Sequence, residues 1–258
     1  MSKCVKLFFI RHGLSCSQYG RTNKKDWKLR DPFLSDIGIE DLQNYKKVIL
    51  QNNIRPDYVF SSSLLRAIQT AQILFPEKVV NISPYIGEMS PHGEENVPTA
   101  PSRQLKYLKP EKARYLYLEG IDELDDLFNN RTKDFDKPDF SKFLKWLTPK
   151  LRVSLKNKDI TIAVVGHSNF LQNMLIGNKM LTKEPDFEKD KKRWPWNAAV
   201  VEITLCEKSG VLKPYNYNCK ELTTLTEQNS YSRPCYGIKL LGMKDTSKDK
   251  NSLNCESV

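Results

Sequence analysis

Two short apolar runs, each cut off at a histidine beside a glycine, constrain this chain more than any other feature. Val5-Lys6-Leu7-Phe8-Phe9-Ile10 stops at Arg11-His12-Gly13, and Ile160-Thr161-Ile162-Ala163-Val164-Val165 stops at Gly166-His167-Ser168. Runs of this length, rich in β-branched and aromatic residues, read as buried strands. Strand and helix patterns alternate between and around them. Asp36 to Gln51 carries Ile39, Leu42, Tyr45 and Ile49 near helical spacing, with Ser35 as a plausible N-cap. Asp57 to Phe60 is a second strand, delivered into Ser61-Ser62-Ser63; Leu64 to Leu74 is helical and stops at Pro76, and Lys78 to Ile82 is a third strand. Phe140, Phe143, Leu144, Leu147 and Leu151 form a helical stripe within Asp139 to Leu155, where Pro149 predicts a kink. Asn169 to Lys179 reads as a helix and Ala198 to Leu205 as a last central strand. This alternation predicts an α/β protein, a three-layer α/β/α arrangement around a mostly parallel sheet.

The rest of the chain is less regular. Gly87 to Lys109 is rich in proline and polar residues and reads as an ordered loop or lid, and Glu111 to Asn130 as a helical insertion. Beyond Gly242 the composition turns to Lys, Asp, Ser and Asn, the signature of a disordered tail. The 258 residues thus divide into one domain over 1–242, with an insertion at about 94–158, and a tail over 243–258.

Lysine and arginine number 41 against 31 acidic residues, a formal charge of +10, which suits an anionic partner. The basic residues are dispersed, with Lys189 to Arg193 the only dense run and no aromatic stacking module, so nucleic acid is not the expected partner. No apolar window is long enough for a signal-peptide core or a membrane span. The six cysteines are scattered without a C-x-x-C pair, and are read as reduced thiols in a cytoplasmic protein. Cys255-Glu256-Ser257-Val258 has the outline of a prenylation box, but its polar middle and terminal valine argue against a lipid anchor. Oligomeric state has no sequence signal.

The chain has only three histidines, and two of them fall at strand ends. Ligands of open parallel sheets bind at the carboxyl ends of strands. If the two strands are neighbours, His12 and His167 converge there, joined by Arg11 and by Arg66, which follows a third strand. Two histidines and two arginines in one crevice suit a multiply charged anion, and phosphate fits the planar arginine fork best. A metal site would need a further ligand at suitable spacing, and no H-E-x-x-H or H-x-x-E-H cluster exists.

At these residues the chain resembles the histidine phosphatase superfamily, which includes the cofactor-dependent phosphoglycerate mutases. Arg11-His12-Gly13 after a strand is similar to its signature. Asp31-Pro32-Phe33-Leu34-Ser35-Asp36-Ile37-Gly38 resembles its D-x-x-L-T-x-x-G segment, and Ser61 to Ala71 its S-x-L-x-R-A-x-x-T-A segment bearing Arg66. Ile86-Gly87-Glu88 followed by Gly93 resembles the stretch carrying the acid, and Val164 to Asn169 the segment with the second histidine. The resemblance runs in order over Val5 to Leu175, with Asn197 to Leu205 similar to the closing strand; it implies a phosphoglycerate mutase-like fold. It also implies His12 as nucleophile, Glu88 as general acid, and Arg11, Arg66 and His167 as phosphate-binding groups, with neither metal nor organic cofactor. His12 must then attack as neutral imidazole, its pKa lowered by the cations Arg11, Arg66 and His167, its other ring nitrogen donating to a backbone carbonyl. Gln18 is a candidate substrate contact. His92, four residues after Glu88, either lines the pocket or is a plain loop residue.

The departures favour one activity. The mutases follow R-H-G with Glu or Gln, then Ser, with Asn further on; here the run is Leu14, Ser15, Cys16, Ser17, Gln18. No R-R pair follows the acid to hold a second acidic substrate. The expected activity is hydrolysis of a phosphorylated small molecule, or of a phosphoprotein, through a phosphohistidine. The alternatives are a mutase-type phosphotransferase and a weakly catalytic regulatory protein that binds a phospho-ligand on the same fold.

Overall fold

The structure is a computed structural model, and it describes residues 4–18, 29–88, 94–115, 138–157, 159–171, 198 and 200–219. The first apolar run forms β1 (Cys4–Arg11), and Ser35 starts α1 (Asp36–Gln51) by accepting from the Gly38 amide at 3.1 Å. That turn needs glycine at 38, since a Cβ there would lie 2.2 Å from the carbonyl oxygen of Leu14. β2 (Tyr58–Ser61), α2 (Leu65–Leu74) and β3 (Val80–Ile82) follow. After them come a single turn α3 (Pro101–Gln104), β4 (Ala113–Tyr115), α4 (Phe140–Asn157), β5 (Ile160–Gly166), β6 (Val200–Lys208) and β7 (Val211–Cys219). α4 runs unbroken through Pro149.

The seven strands form one sheet in the order β4-β3-β2-β5-β1-β6-β7. The pairings β4–β3, β3–β2, β2–β5 and β5–β1 are parallel, while β1–β6 and β6–β7 are antiparallel. Alternate side chains of a strand point to opposite faces, and both faces are covered. Leu7 and Phe9 pack with Ile162 and Val164 against Phe143, Leu144, Leu147 and Leu151 of α4. Phe8 and Ile10 pack with Val59 and Val165 against Leu42, Tyr45 and Ile49 of α1 and Ala67, Ile68 and Ala71 of α2. Fully burying a side chain of this size contributes about 1.5–3 kcal/mol, so two such clusters are the main hold on the three layers.

Three expectations need correction. Within Glu111 to Asn130 the described residues are not an α-helix. A 3₁₀ turn at Pro110–Lys112 leads into β4, which pairs in parallel with β3 through Val80↔Ala113, Asn81↔Arg114 and Ile82↔Tyr115. Three residues are too few to show a strand period. The sheet also gains β7, a hairpin partner of β6. Its turn is Ser209-Gly210, with φ of 56° and 76°, the two left-handed residues that two-residue hairpins require.

The third correction concerns the cysteines. Cys4 and Cys206 stand directly opposite each other in the antiparallel β1–β6 pair, Cα atoms 4.1 Å apart, and form a disulfide across 202 residues. Cys16 is disulfide-bonded as well. Spacing along the chain could not show this pairing, because it depends on which strand lies beside β1. Disulfides persist mainly in oxidising compartments, so the thiol-based ground for a cytoplasmic location is removed. Among the described residues no helix is long and apolar enough to cross a membrane. The helix expected over 169–179 is described only to Leu171, where its first turn has formed, and the tail lies outside the described residues.

Candidate active site

β1 and β5 are parallel neighbours, with Arg11 opposite Gly166 in the register, so the next residue on each strand is a histidine at the same level. The His12 amide donates to the Gly166 carbonyl at 2.9 Å, which holds the two strand ends together. β2 flanks β5 on its other side, and Ser62 N donates to Val165 O at 3.0 Å before the chain enters α2 with Arg66 in its first turn. Three strand ends therefore deliver His12, His167 and Arg66 to one place. Both histidines are buried, and their ring centroids lie 5.1 Å apart.

The hydrogen bonds settle the His12 tautomer. Its Nδ1 lies 2.6 Å from the Gly13 carbonyl oxygen, which can only accept, so Nδ1 carries the proton. Nε2 is then the nitrogen with the lone pair, and it accepts from Arg66 Nε at 3.3 Å. The turn itself is fixed to α2: Gly13 N donates to Thr70 Oγ1 at 2.9 Å, and Thr70 Oγ1 donates to Arg66 O at 2.7 Å. Burial above all, then the Arg66 and Arg11 guanidiniums, hold the His12 pKa well below that of a free imidazole, against an opposing pull from the Gly13 bond. His167 is depressed in the same way by burial, Arg66, His12 and Arg11. It therefore stands in the site as a neutral ring rather than the cation expected beside His12. Its Nε2 is 2.7 Å from Ser62 Oγ, which also accepts from Leu64 N at 3.2 Å, and its Nδ1 faces Arg66 at 3.5 Å.

These depressed values fix a sign for acid stability. The unfolded chain takes up protons on its histidines near pH 6.5, while the folded chain leaves His12 and His167 neutral until the pH is lower. Their contribution is complete above that pH and is lost as pH falls toward the folded-state values. The slope is up to about 1.4 kcal/mol per pH unit for each group. Urea unfolding at stepped pH should show this decline, and His167→Gln should make it shallower; an unchanged acid limb in that variant would contradict the assignment.

Arg66 is buried and held from outside the strand ends. NH1 donates to Glu95 O at 2.8 Å and NH2 to Asn96 Oδ1 at 2.8 Å, while Nε and NH2 also face the two histidines. The segment read as a loop or lid is thus a clamp on the guanidinium. Arg11 is half-buried at the end of β1, its carbonyl accepting from Ala198 N at 3.0 Å. Glu88 is half-buried too. Its segment passes the end of β5, since the Ile86 carbonyl oxygen lies 3.5 Å from where a Gly166 Cβ would stand. Gln18 turns back on its own loop, Oε1 accepting from Ser15 N at 3.3 Å. His92 lies outside the described residues. Among the described residues no group of three or more His, Cys, Asp or Glu could hold a metal ion.

Four contacts escaped the sequence reading: Ser62 on His167, Thr70 on Gly13, and the Glu95 carbonyl and Asn96 side chain on Arg66. Ser62 and Thr70 belong to the segment recognised for Arg66, so their proximity was available. Asn96 had no signal, since it comes from an irregular stretch 30 residues away.

Residues 7–105 match the family described as histidine phosphatase superfamily (branch 1), and the chain belongs to that superfamily. Among solved structures it is similar to phosphoserine phosphatase from Entamoeba histolytica, at 20% identity over 83% of this chain and 96% of the other, with a TM-score of 0.43. It is similar to phosphoglycerate mutase from Bacillus anthracis, at 18% identity over 83% and 93% of the two chains and a TM-score of 0.44. A mycobacterial glucosyl-3-phosphoglycerate phosphatase is 15% identical over 83% and 96% of the two chains, with a TM-score of 0.44. No curated protein sequence matches the chain.

Proposed function

We propose that this protein is a metal-independent phosphomonoesterase that passes its substrate's phosphoryl group through Nε2 of His12. The observation that carries the reading is the His12 tautomer: a proton on Nδ1 directed at Gly13 O, and a lone pair on Nε2 among Arg66 and His167. A buried imidazole kept neutral in this way is a nucleophile at neutral pH, whereas an imidazolium is not.

In the first step the Nε2 lone pair forms a bond to phosphorus as the ester P–O bond breaks. The leaving alkoxide takes a proton from the Glu88 carboxyl. Charge accumulates on the three phosphoryl oxygens, and guanidinium donors from Arg66 and Arg11 stabilise it; preorganised donors supply most of the catalysis in such a transfer. The long 3.3 Å contact between Arg66 Nε and His12 Nε2 has to give way, its N–H turning to a phosphoryl oxygen as the lone pair is used. The arriving dianion also raises the proton affinity of His167, which supplies a further donor. In the second step water attacks phosphorus, the Glu88 carboxylate takes its proton, and the P–N electron pair returns to Nε2.

The test is a panel of sugar phosphates, phosphoglycerates, nucleotides and phosphopeptides assayed with excess EDTA. Arginines and histidines meet the phosphoryl charge here, so turnover is expected to persist unchanged. Activity lost on chelation and restored by Mg²⁺ or Zn²⁺ would overturn the reading.

A further inference from the structure

Asp31 takes no part in this chemistry, yet it is the most heavily bonded buried carboxylate among the described residues. It is fully inaccessible. Its Oδ1 accepts from Leu65 N at 2.8 Å, and its Oδ2 from Thr99 N at 2.8 Å, Thr99 Oγ1 at 2.9 Å and Gln104 Nε2 at 2.7 Å. All four partners are neutral donors, and a carboxylate that accepts four hydrogen bonds uses the capacity of both oxygens. Burying that charge costs several kcal/mol before the bonds are counted, so the position is an expensive one to fill merely for packing.

The four donors come from two places, and both lead to Arg66. Leu65 is the first residue of α2, whose own N-cap position, Leu64, offers no side-chain cap. Asp31 reaches across 34 residues to do what Ser35 does locally for α1, satisfying the amide next to Arg66 in the chain. Thr99 ends the segment whose Glu95 carbonyl and Asn96 side chain hold NH1 and NH2 of Arg66. One carboxylate therefore ties the backbone that carries Arg66 to the segment that grips its guanidinium. Gln104 adds a brace: it donates to Ser63 O at 2.6 Å and accepts from Tyr115 OH on the edge strand at 2.5 Å. Asp31 itself sits at φ 46°, a left-handed conformation that aspartate tolerates better than most residues.

We propose that Asp31 is a positioning residue for the phosphoryl transfer, acting through Arg66 by locking the start of α2 to the 94–104 segment in the one arrangement that aims the guanidinium at His12. The consequence for turnover rests on the functional reading above; the positioning itself does not. An asparagine cannot replace the aspartate, because its NH₂ would oppose either the Leu65 N–H or the Thr99 and Gln104 donors.

The experiment compares wild type, Asp31→Asn, Arg66→Ala and the double variant by kcat/KM. The ¹⁵Nε–¹H resonance of Arg66 is followed in the unliganded wild type and Asp31→Asn. Asp31→Asn should lose about 10- to 10²-fold in kcat/KM, the cost of displacing a positioned group by about an ångström, and should shift the Arg66 Nε–H signal and speed its exchange. In the Arg66→Ala background the same substitution should cost less than about 2-fold, because the residue it acts through is gone. A role in overall stability alone would repeat the full loss in that background, and this would overturn the proposal, as would an unmoved Arg66 resonance in folded Asp31→Asn. Should Asp31→Asn not fold, Thr99→Val removes one of the four donors and should act in the same direction with a smaller loss. Wild-type protein inactive on every phosphomonoester would sink the functional reading alone, and the resonance would still decide the role of Asp31.

Discussion

Replacing His12 with alanine abolishes turnover of every phosphomonoester that the wild-type protein accepts, while the fold survives. The nucleophile is the one group no neighbour can replace, so the loss should be on the order of 10⁴-fold or more in kcat. The bond that joins the two strand ends runs from the His12 amide to Gly166 O and is kept by alanine. The lost imidazole contacts are a bond to the adjacent Gly13 carbonyl and a long one from Arg66, neither of which holds elements of the core together. Wild-type protein quenched in acid during turnover of a ³²P-labelled substrate should carry an acid-labile phosphoryl group, and the variant should carry none. Full activity in His12→Ala would end the mechanism.

The parts of this site legible in the sequence were those built from local pattern. β1 and β5 are continuous apolar runs because both faces of their sheet are covered, and each ends where it must deliver a histidine. Ser35 and Gly38 mark the start of α1 for reasons visible within four residues. Arg66 follows β2 closely enough that the same logic placed it. What stayed hidden depends on contacts that no local pattern encodes. The grip of Glu95 and Asn96 on Arg66, the reach of Asp31 to Leu65 and Thr99, and the pairing of Cys4 with Cys206 all join residues 29 to 202 positions apart. The neutrality of His167 was misjudged for a physical reason. Proximity to arginines and burial both depress an imidazole, and the reading gave the ring a charge that neither influence permits. β7 was the one miss with a plain local signal, since Ser209-Gly210 between two extended stretches is a hairpin turn.

Glu88→Gln should slow turnover by an amount set by the leaving group, and this separates an acid from a nucleophile. An alkoxide is strongly basic and departs slowly without a proton, so on an alkyl phosphate the variant should lose about 10²- to 10⁴-fold. p-Nitrophenolate leaves without help, so phosphorylation of His12 should proceed at nearly the wild-type rate with that substrate. The second step still needs a base for the attacking water, and glutamine cannot serve. Phosphohistidine should therefore accumulate, giving a burst of p-nitrophenol close to one equivalent of enzyme followed by a slow steady state. His12→Ala fails on both substrates and gives no burst, so the two roles cannot be confused. The competing acids are Glu94 and Glu95, on the clamp itself. Glu95 already serves Arg66 through its backbone carbonyl, a bond that survives Glu95→Gln. That variant should accordingly remain active on alkyl phosphates. If Glu94→Gln or Glu95→Gln is crippled on the alkyl substrate while Glu88→Gln is not, the proton comes from the clamp and Glu88 is not the acid.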